Sequence, residues 1–139
     1  MEMEIINFDE DIQVYYVEAD SFPEHILEAH QKLHQGVSYS KERKYFGLSR
    51  PEKGVIQYKA AAEKLETDEG EGISFPTMIL PKGKYRSITI KDYMKDIEGI
   101  GNAFTELTSG KDIDPEGYCV EWYYNEDDVK CMIRLQDEQ

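Results

Sequence analysis

Glu121 is the residue in this sequence whose setting most suggests chemistry. It stands in the run Tyr118-Cys119-Val120-Glu121-Trp122-Tyr123-Tyr124, whose aromatic and β-branched residues predict a strand. Side chains alternate along a strand, so Cys119, Glu121 and Tyr123 share one face, and Tyr118, Val120, Trp122 and Tyr124 the other. A carboxylate in an apolar cleft is costly unless something offsets its charge. A bound organic cation would do so, and so would a proton that the carboxyl holds and passes on. The plainer alternative is a solvent-facing Glu on a half-buried strand. Trp122, of opposite parity, is expected to face the second helix as core, or to lie at a cleft edge if the hairpin is twisted.

Other reactive residue types lack a pattern. His30 and His34 are four apart and can share a helix face, as metal-ligating pairs do, but no carboxylate or Cys completes a set at a diagnostic spacing. An axial His for a haem has no marker either. Cys119 and Cys131 make neither a zinc signature nor a disulfide framework and read as reduced core thiols. No Ser lies in a G-x-S-x-G elbow, and Gly99-Ile100-Gly101 does not open a helix after a strand. No cofactor and no metal are expected. The acidic run Glu66 to Gly72 lacks calcium-loop spacing and reads as a solvated loop.

The elements that would position Glu121 follow from periodicity. Ile12–Glu18 reads as a strand. Ser21 is placed to cap a helix with Pro23 in its first turn, an apolar stripe of Phe22, Ile26, Ala29, His30 and Leu33, and Gly36 as its stop. Strands are expected at Tyr45–Ser49 and Val55–Leu65 around the turn Arg50–Gly54. Ser74–Leu80 reads as extended, and Lys84–Lys91 as a strand after a turn at Pro81-Lys82-Gly83. Asp92 is placed to cap a second helix with the stripe Ile97, Ile100, Ala103, Phe104 and Leu107. Tyr118–Tyr124 and Val129–Gln136 form a closing hairpin. Gly99 and Gly101 inside the second helix suggest either the close approach of another backbone or a loosened turn.

The order strand, helix, hairpin occurs twice. Ile26, Ala29, Leu33 and Val55 recur 74 positions later as Ile100, Ala103, Leu107 and Val129, and Tyr45 recurs 73 positions later as Tyr118. Matches spread over helix and strand predict a duplicated βαββ unit, with halves at about 11–65 and 74–136 of one domain spanning 1–139. The fold class is α+β, with two antiparallel sheets, each covered by a helix, and a cleft between the halves.

Three stretches resemble the GyrI-like effector-binding family. Tyr45-Phe46-Gly47-Leu48-Ser49 with Tyr58-Lys59-Ala60-Ala61-Ala62 is similar to the family's first hairpin. Phe75-Pro76 through Leu80-Pro81-Lys82-Gly83-Lys84-Tyr85 resembles its entry into the second unit. Gly117-Tyr118-Cys119-Val120-Glu121-Trp122-Tyr123 resembles its closing hairpin. The resemblance covers nearly the whole chain and implies the ligand-sensing fold of some AraC-type and MerR-type regulators. It implies binding of bulky, often cationic aromatic compounds, with Glu121 matching the family's glutamate. Many members carry a second glutamate in the last strand, in the region where this chain has Cys131-Met132-Ile133. With no helix-turn-helix ahead of the domain, direct transcriptional control is not expected.

The ligand-binding residues expected are Glu121, Tyr123, Tyr85, Tyr58 and Tyr45, although each tyrosine also suits core packing. One alternative is hydrolysis of an electrophilic toxin, with Glu121 and Tyr85 as the acid–base pair. Another is protein interaction, such as modulation of a gyrase. The net charge of -13 disfavours direct contact with nucleic acid or anionic membranes. The absence of a basic, apolar leader and the two free thiols point to a cytoplasmic protein. The resemblance implies a bacterial one with a small-molecule ligand; a monomer or dimer with room for a protein partner is expected.

Overall fold

The computed structural model describes residues 2–137. In chain order the elements are β1 (Glu4–Phe8), β2 (Ile12–Glu18), α1 (Ile26–Gly36), β3 (Tyr45–Glu52), β4 (Val55–Glu63), β5 (Thr77–Leu80), β6 (Gly83–Ile90), α2 (Ile97–Thr108), β7 (Cys119–Trp122) and β8 (Val129–Arg134). The class is α+β. The chain divides into two compact units, one of Asp11–Leu80 and one of Met1–Glu10 with Pro81–Gln139. Among the described residues no helix is long and apolar enough to cross a membrane.

In the Asp11–Leu80 unit, β4 pairs with both β3 and β2, and β2 also pairs with β5, all antiparallel. Ala60 and Ala62 on β4 pack with Ala29 and Leu33 of α1, so small side chains let the helix lie close to the sheet. The expected turn Arg50–Gly54 is shorter than its Pro and Gly suggested. Pairing continues to Glu52 opposite Val55, with Pro51 opposite Ile56. Only Lys53 and Gly54 turn the chain, both with positive φ (54° and 81°), as a two-residue hairpin requires.

The first helix starts later than Ser21 and Pro23 indicated, with His25 as its N-cap. The Ser21 hydroxyl donates to the Glu24 carboxylate and lies 2.6 Å from His25 Nδ1, so side chains, not helix amides, engage it. Phe22 sits outside the helix and stacks on Tyr58, with ring centroids 6.0 Å apart.

The acidic run is not merely a solvated loop, because Asp68 is buried. Its Oδ2 accepts from Arg43 Nη1 at 2.7 Å, the Leu65 amide at 2.9 Å and the Tyr15 hydroxyl at 3.2 Å, while Oδ1 accepts from Arg43 Nη2 at 2.9 Å. Arg43 also donates to the Glu63 carbonyl. Side-chain exposures of 3% and 5% make this a desolvated pair, tolerable because the carboxylate is met by four hydrogen bonds. The Arg43 guanidinium is the main cause holding the Asp68 carboxyl down at about 2, against an ordinary 3.8.

In the second unit β8 pairs with β6 and β7, and β6 also pairs with β1. The α2 side of this sheet is closed by Ile88, Ile90, Ala103, Leu107, Val129, Cys131 and Ile133. β1 was not anticipated; it is an edge strand, and Glu4 meets Lys130 Nζ at 2.6 Å. Asp92 does not cap α2. It adopts a left-handed conformation (φ 48°) ahead of a short turn, and Asp96 caps instead, accepting from the Gly99 amide at 3.1 Å. Ile97, placed on the apolar stripe by its spacing, is 57% exposed because it opens the first turn.

Gly99 and Gly101 serve different ends. A Cβ at Gly99 would lie 2.4 Å from the Asp96 carboxylate, whereas at Gly101 it would meet nothing within 4 Å. Gly101→Ala should therefore raise stability by about 0.5–1 kcal/mol. Gly99→Ala should gain nothing, because displacing the cap costs about 1 kcal/mol. Chemical denaturation of the two variants checks the difference. For the buried pair, Arg43→Met should cost about 3–5 kcal/mol by stranding Asp68. Because the folded-state value of Asp68 is depressed, its stabilisation is complete above pH about 4 and lost as pH falls toward about 2. An acid titration of stability should show this component in the native chain and not in Asp68→Asn.

Candidate functional site

The register of β7 on β8 decides where Glu121 points. Cys119 lies opposite Ile133, and Glu121 opposite Cys131. Cys131 and Ile133 belong to the cluster under α2, and directly opposed residues share a face, so Glu121 and Cys119 are on the α2 side. Tyr123, just past the strand end, packs against the same cluster. Its hydroxyl donates a short hydrogen bond to the Glu121 carboxylate. Tyr93, in the turn before α2, brings its ring 5.6 Å from that of Tyr123 at 51°.

The charge of Glu121 is felt by the groups around it. Burial and then Glu121 raise the Tyr93 phenol, and the same two causes raise the Cys119 thiol. Burial, Glu121 and Cys119 push Cys131 up to about 12. Around this carboxylate the Tyr93 phenol and the two thiols are all shifted toward keeping their protons. Thiols held this way are poor nucleophiles. The carboxylate can stabilise a cation or hold a proton.

The other face of this sheet carries different residues. Tyr85 opposes Arg134, whose parity is opposite to that of Cys131 and Ile133, so Tyr85 points away from α2. Its ring meets Phe8 edge-on at 5.2 Å, and its hydroxyl donates to the Pro81 carbonyl at 2.6 Å. Trp122 joins it there, 5.6 Å from Phe8, and does not face α2 as its parity was read. The alternation separates Trp122 from Glu121 but does not say which of them meets the helix. Glu121 and Tyr85 therefore lie on opposite faces of the sheet. Met132 is buried on the Tyr85 face, and the residue across from Glu121 is Cys131.

Tyr58 and Tyr45 belong to the Asp11–Leu80 unit. Tyr58 is 1% exposed, with its hydroxyl 2.7 Å from His30 Nε2. The Tyr45 hydroxyl accepts from the Ser40 amide at 3.0 Å, and its ring lies near those of His34 and Tyr39, stacked on the latter at 6.0 Å. Of the five residues singled out by sequence, Glu121 and Tyr123 are joined by a hydrogen bond, and Tyr45 packs against the cluster that contains Tyr58. Tyr93 was missed. An aromatic residue directly ahead of a helix stripe was the available signal.

Burial, and then the charge of His34, lower the His30 imidazole to about 4. A depressed histidine is neutral in the folded chain while the unfolded chain takes up a proton below about 6.5, so stability falls as pH drops from about 6.5 to about 4. His30→Gln should flatten that part of the profile, measured by urea unfolding at half-unit pH steps.

No protein-family model matches the chain, and no curated protein matches it. Solved structures do. An integron cassette protein of Vibrio cholerae, VCH_CASS2, is 14% identical, covering 96% of this chain and 95% of that one, with a TM-score of 0.63. SAV2435 bound to tetraphenylphosphonium is 14% identical, covering 96% and 94%, with a TM-score of 0.64. A hydrolase from Listeria innocua is 8% identical, covering 97% and 92%, with a TM-score of 0.57. At these identities the likeness is one of fold, and the chain shares that fold over almost its whole length.

Proposed function

We propose that this chain is a GyrI-like effector-binding module that holds a bulky, aromatic, cationic small molecule, with Glu121 as the countercharge. The observation that carries this reading is the Glu121 carboxylate on the α2 side of β7, fixed by the Tyr123 hydroxyl and flanked by the rings of Tyr123 and Tyr93. A unit charge about 4 Å from the carboxylate gains roughly 4 kcal/mol at the effective dielectric of a protein surface. Each aromatic ring adds about 0.5–2 kcal/mol toward a cation over its face. A cation whose charge is spread over aromatic groups loses little hydration on entering, so more of that gain survives. SAV2435 has this fold and was solved with tetraphenylphosphonium, a cation of this class.

In this reading Tyr85, 1% exposed and on the face of the sheet away from Glu121, is core and does not touch ligand. The successions β2-α1-β3-β4 and β6-α2-β7-β8 are read as two copies of one βαββ unit, since in each the last strand lies between the other two. The role is sequestration or sensing.

Calorimetry with tetraphenylphosphonium and with neutral triphenylphosphine oxide tests the charge role. Glu121→Gln should weaken the phosphonium about tenfold or more, equivalent to 1.4 kcal/mol or more, and change the neutral compound less than about twofold. Equal losses for both, or no binding of the phosphonium by the native chain, would reject the reading.

A further inference from the structure

The two rings that flank Glu121 come from separate segments. Tyr123 opens the turn 123–128 between β7 and β8, and Tyr93 lies in the short turn ahead of α2. Both pack against the cluster under α2. The ladder of β6 on β8 ends with Ile90 opposite Val129, so strand pairing stops short of Tyr93. Something else must hold that ring beside the carboxylate.

The β7–β8 turn takes over where the ladder stops. The Asp92 amide donates to Asp128 Oδ1 at 2.9 Å, and the Tyr93 amide donates to the Asp127 carbonyl at 3.0 Å. Two successive amides are thus captured by one turn. The first belongs to a residue whose left-handed backbone (φ 48°) is uncommon outside glycine. Asn125 organises the turn itself. Its Oδ1 accepts from the amides of Asp127 and Asp128, each at 2.8 Å, and its Nδ2 donates to Asp128 Oδ2 at 3.0 Å. Lys91 Nζ meets the same Oδ2 at 3.2 Å. Asn125 therefore fixes both acceptors that hold the Tyr93 segment, although its own side chain is exposed.

We infer that Asn125 and Asp128 are positioning residues of the Glu121 site, because the turn they build fixes the Tyr93 ring 5.6 Å from that of Tyr123. They act on a ligand through Tyr93. The inference rests on the reading of Glu121 as the countercharge.

Asn125→Ala tests it without changing the net charge. Nuclear Overhauser contacts between the ring protons of Tyr93 and Tyr123 should be present in the native chain. Asn125→Ala, and likewise Asp128→Ala, should weaken them at least twofold, a readout that needs no ligand. In calorimetry Asn125→Ala should weaken tetraphenylphosphonium about threefold, and Tyr93→Leu about three- to tenfold. In the Tyr93→Leu background, Asn125→Ala should change the affinity by less than about 1.5-fold, since no ring is left to position. A merely structural role would weaken binding equally in both backgrounds. Unchanged melting curves would show that the variants fold. The inference is overturned if the ring contacts survive Asn125→Ala. It is also overturned if the phosphonium affinity is unchanged by Asn125→Ala, or falls as far with Tyr93 replaced as with it present. If the native chain does not bind the phosphonium, or binds it regardless of Glu121→Gln, the reading of Glu121 fails instead, and the ring contacts alone decide the positioning.

Discussion

The two-residue repeat of a pleated strand fixes which groups Glu121 can meet. Once Glu121 opposes Cys131, and Cys131 packs under α2, the carboxylate must share the helix side with Cys119 and Tyr123. The same alternation sends Val120, Trp122 and Tyr85 to the far face, so an acid–base pair of Glu121 with Tyr85 cannot form across the sheet. A slip of one residue in this register would exchange the two sets entirely. A phenol that does reach Glu121 is that of Tyr123, two residues along its own chain.

Negative charge does two kinds of work here. Asp68 is enclosed by four donors, two of them from the Arg43 guanidinium, and its ionisation belongs to the folded state itself. Glu121 is bordered by the Tyr93 phenol and two thiols, whose acidity burial and then its charge suppress. The first arrangement holds one loop against another. The second keeps a field within a partly accessible wall, where a cation can respond to it. The overall charge of -13 reports neither role, because most of the acids are exposed.

Local chemistry was readable where it was strong. The IQVYYVE strand and the main bodies of both helices follow from branching and periodicity, and the shared face of Glu121 and Tyr123 follows from their spacing. Signals with rival readings misled. Asp92 and Asp96 both precede α2, and only the backbone at Asp92, turned left-handed, decides between them. Ser21 and Pro23 look like a helix start, but the hydroxyl finds side chains first. Four acids stand between Glu66 and Glu71, and nothing local says that Asp68 alone meets Arg43, 25 positions earlier. β1 has an acid and an amide among its five residues and takes its order from distant partners.

The pairing of β1 with β6 sets an order of events during synthesis. Glu4 lies opposite Ser87, and its carboxylate reaches Lys130. A ribosome delivers Asp11–Leu80 as one uninterrupted stretch, so every strand partner within that unit is present before β6 begins to emerge. β1 has no such advantage, since its partner is β6. Its backbone groups wait, solvated, through the synthesis of the whole first unit, and the strand is secured only when the C-terminal half arrives. A strand made before the Asp11–Leu80 unit is thus locked in place after it.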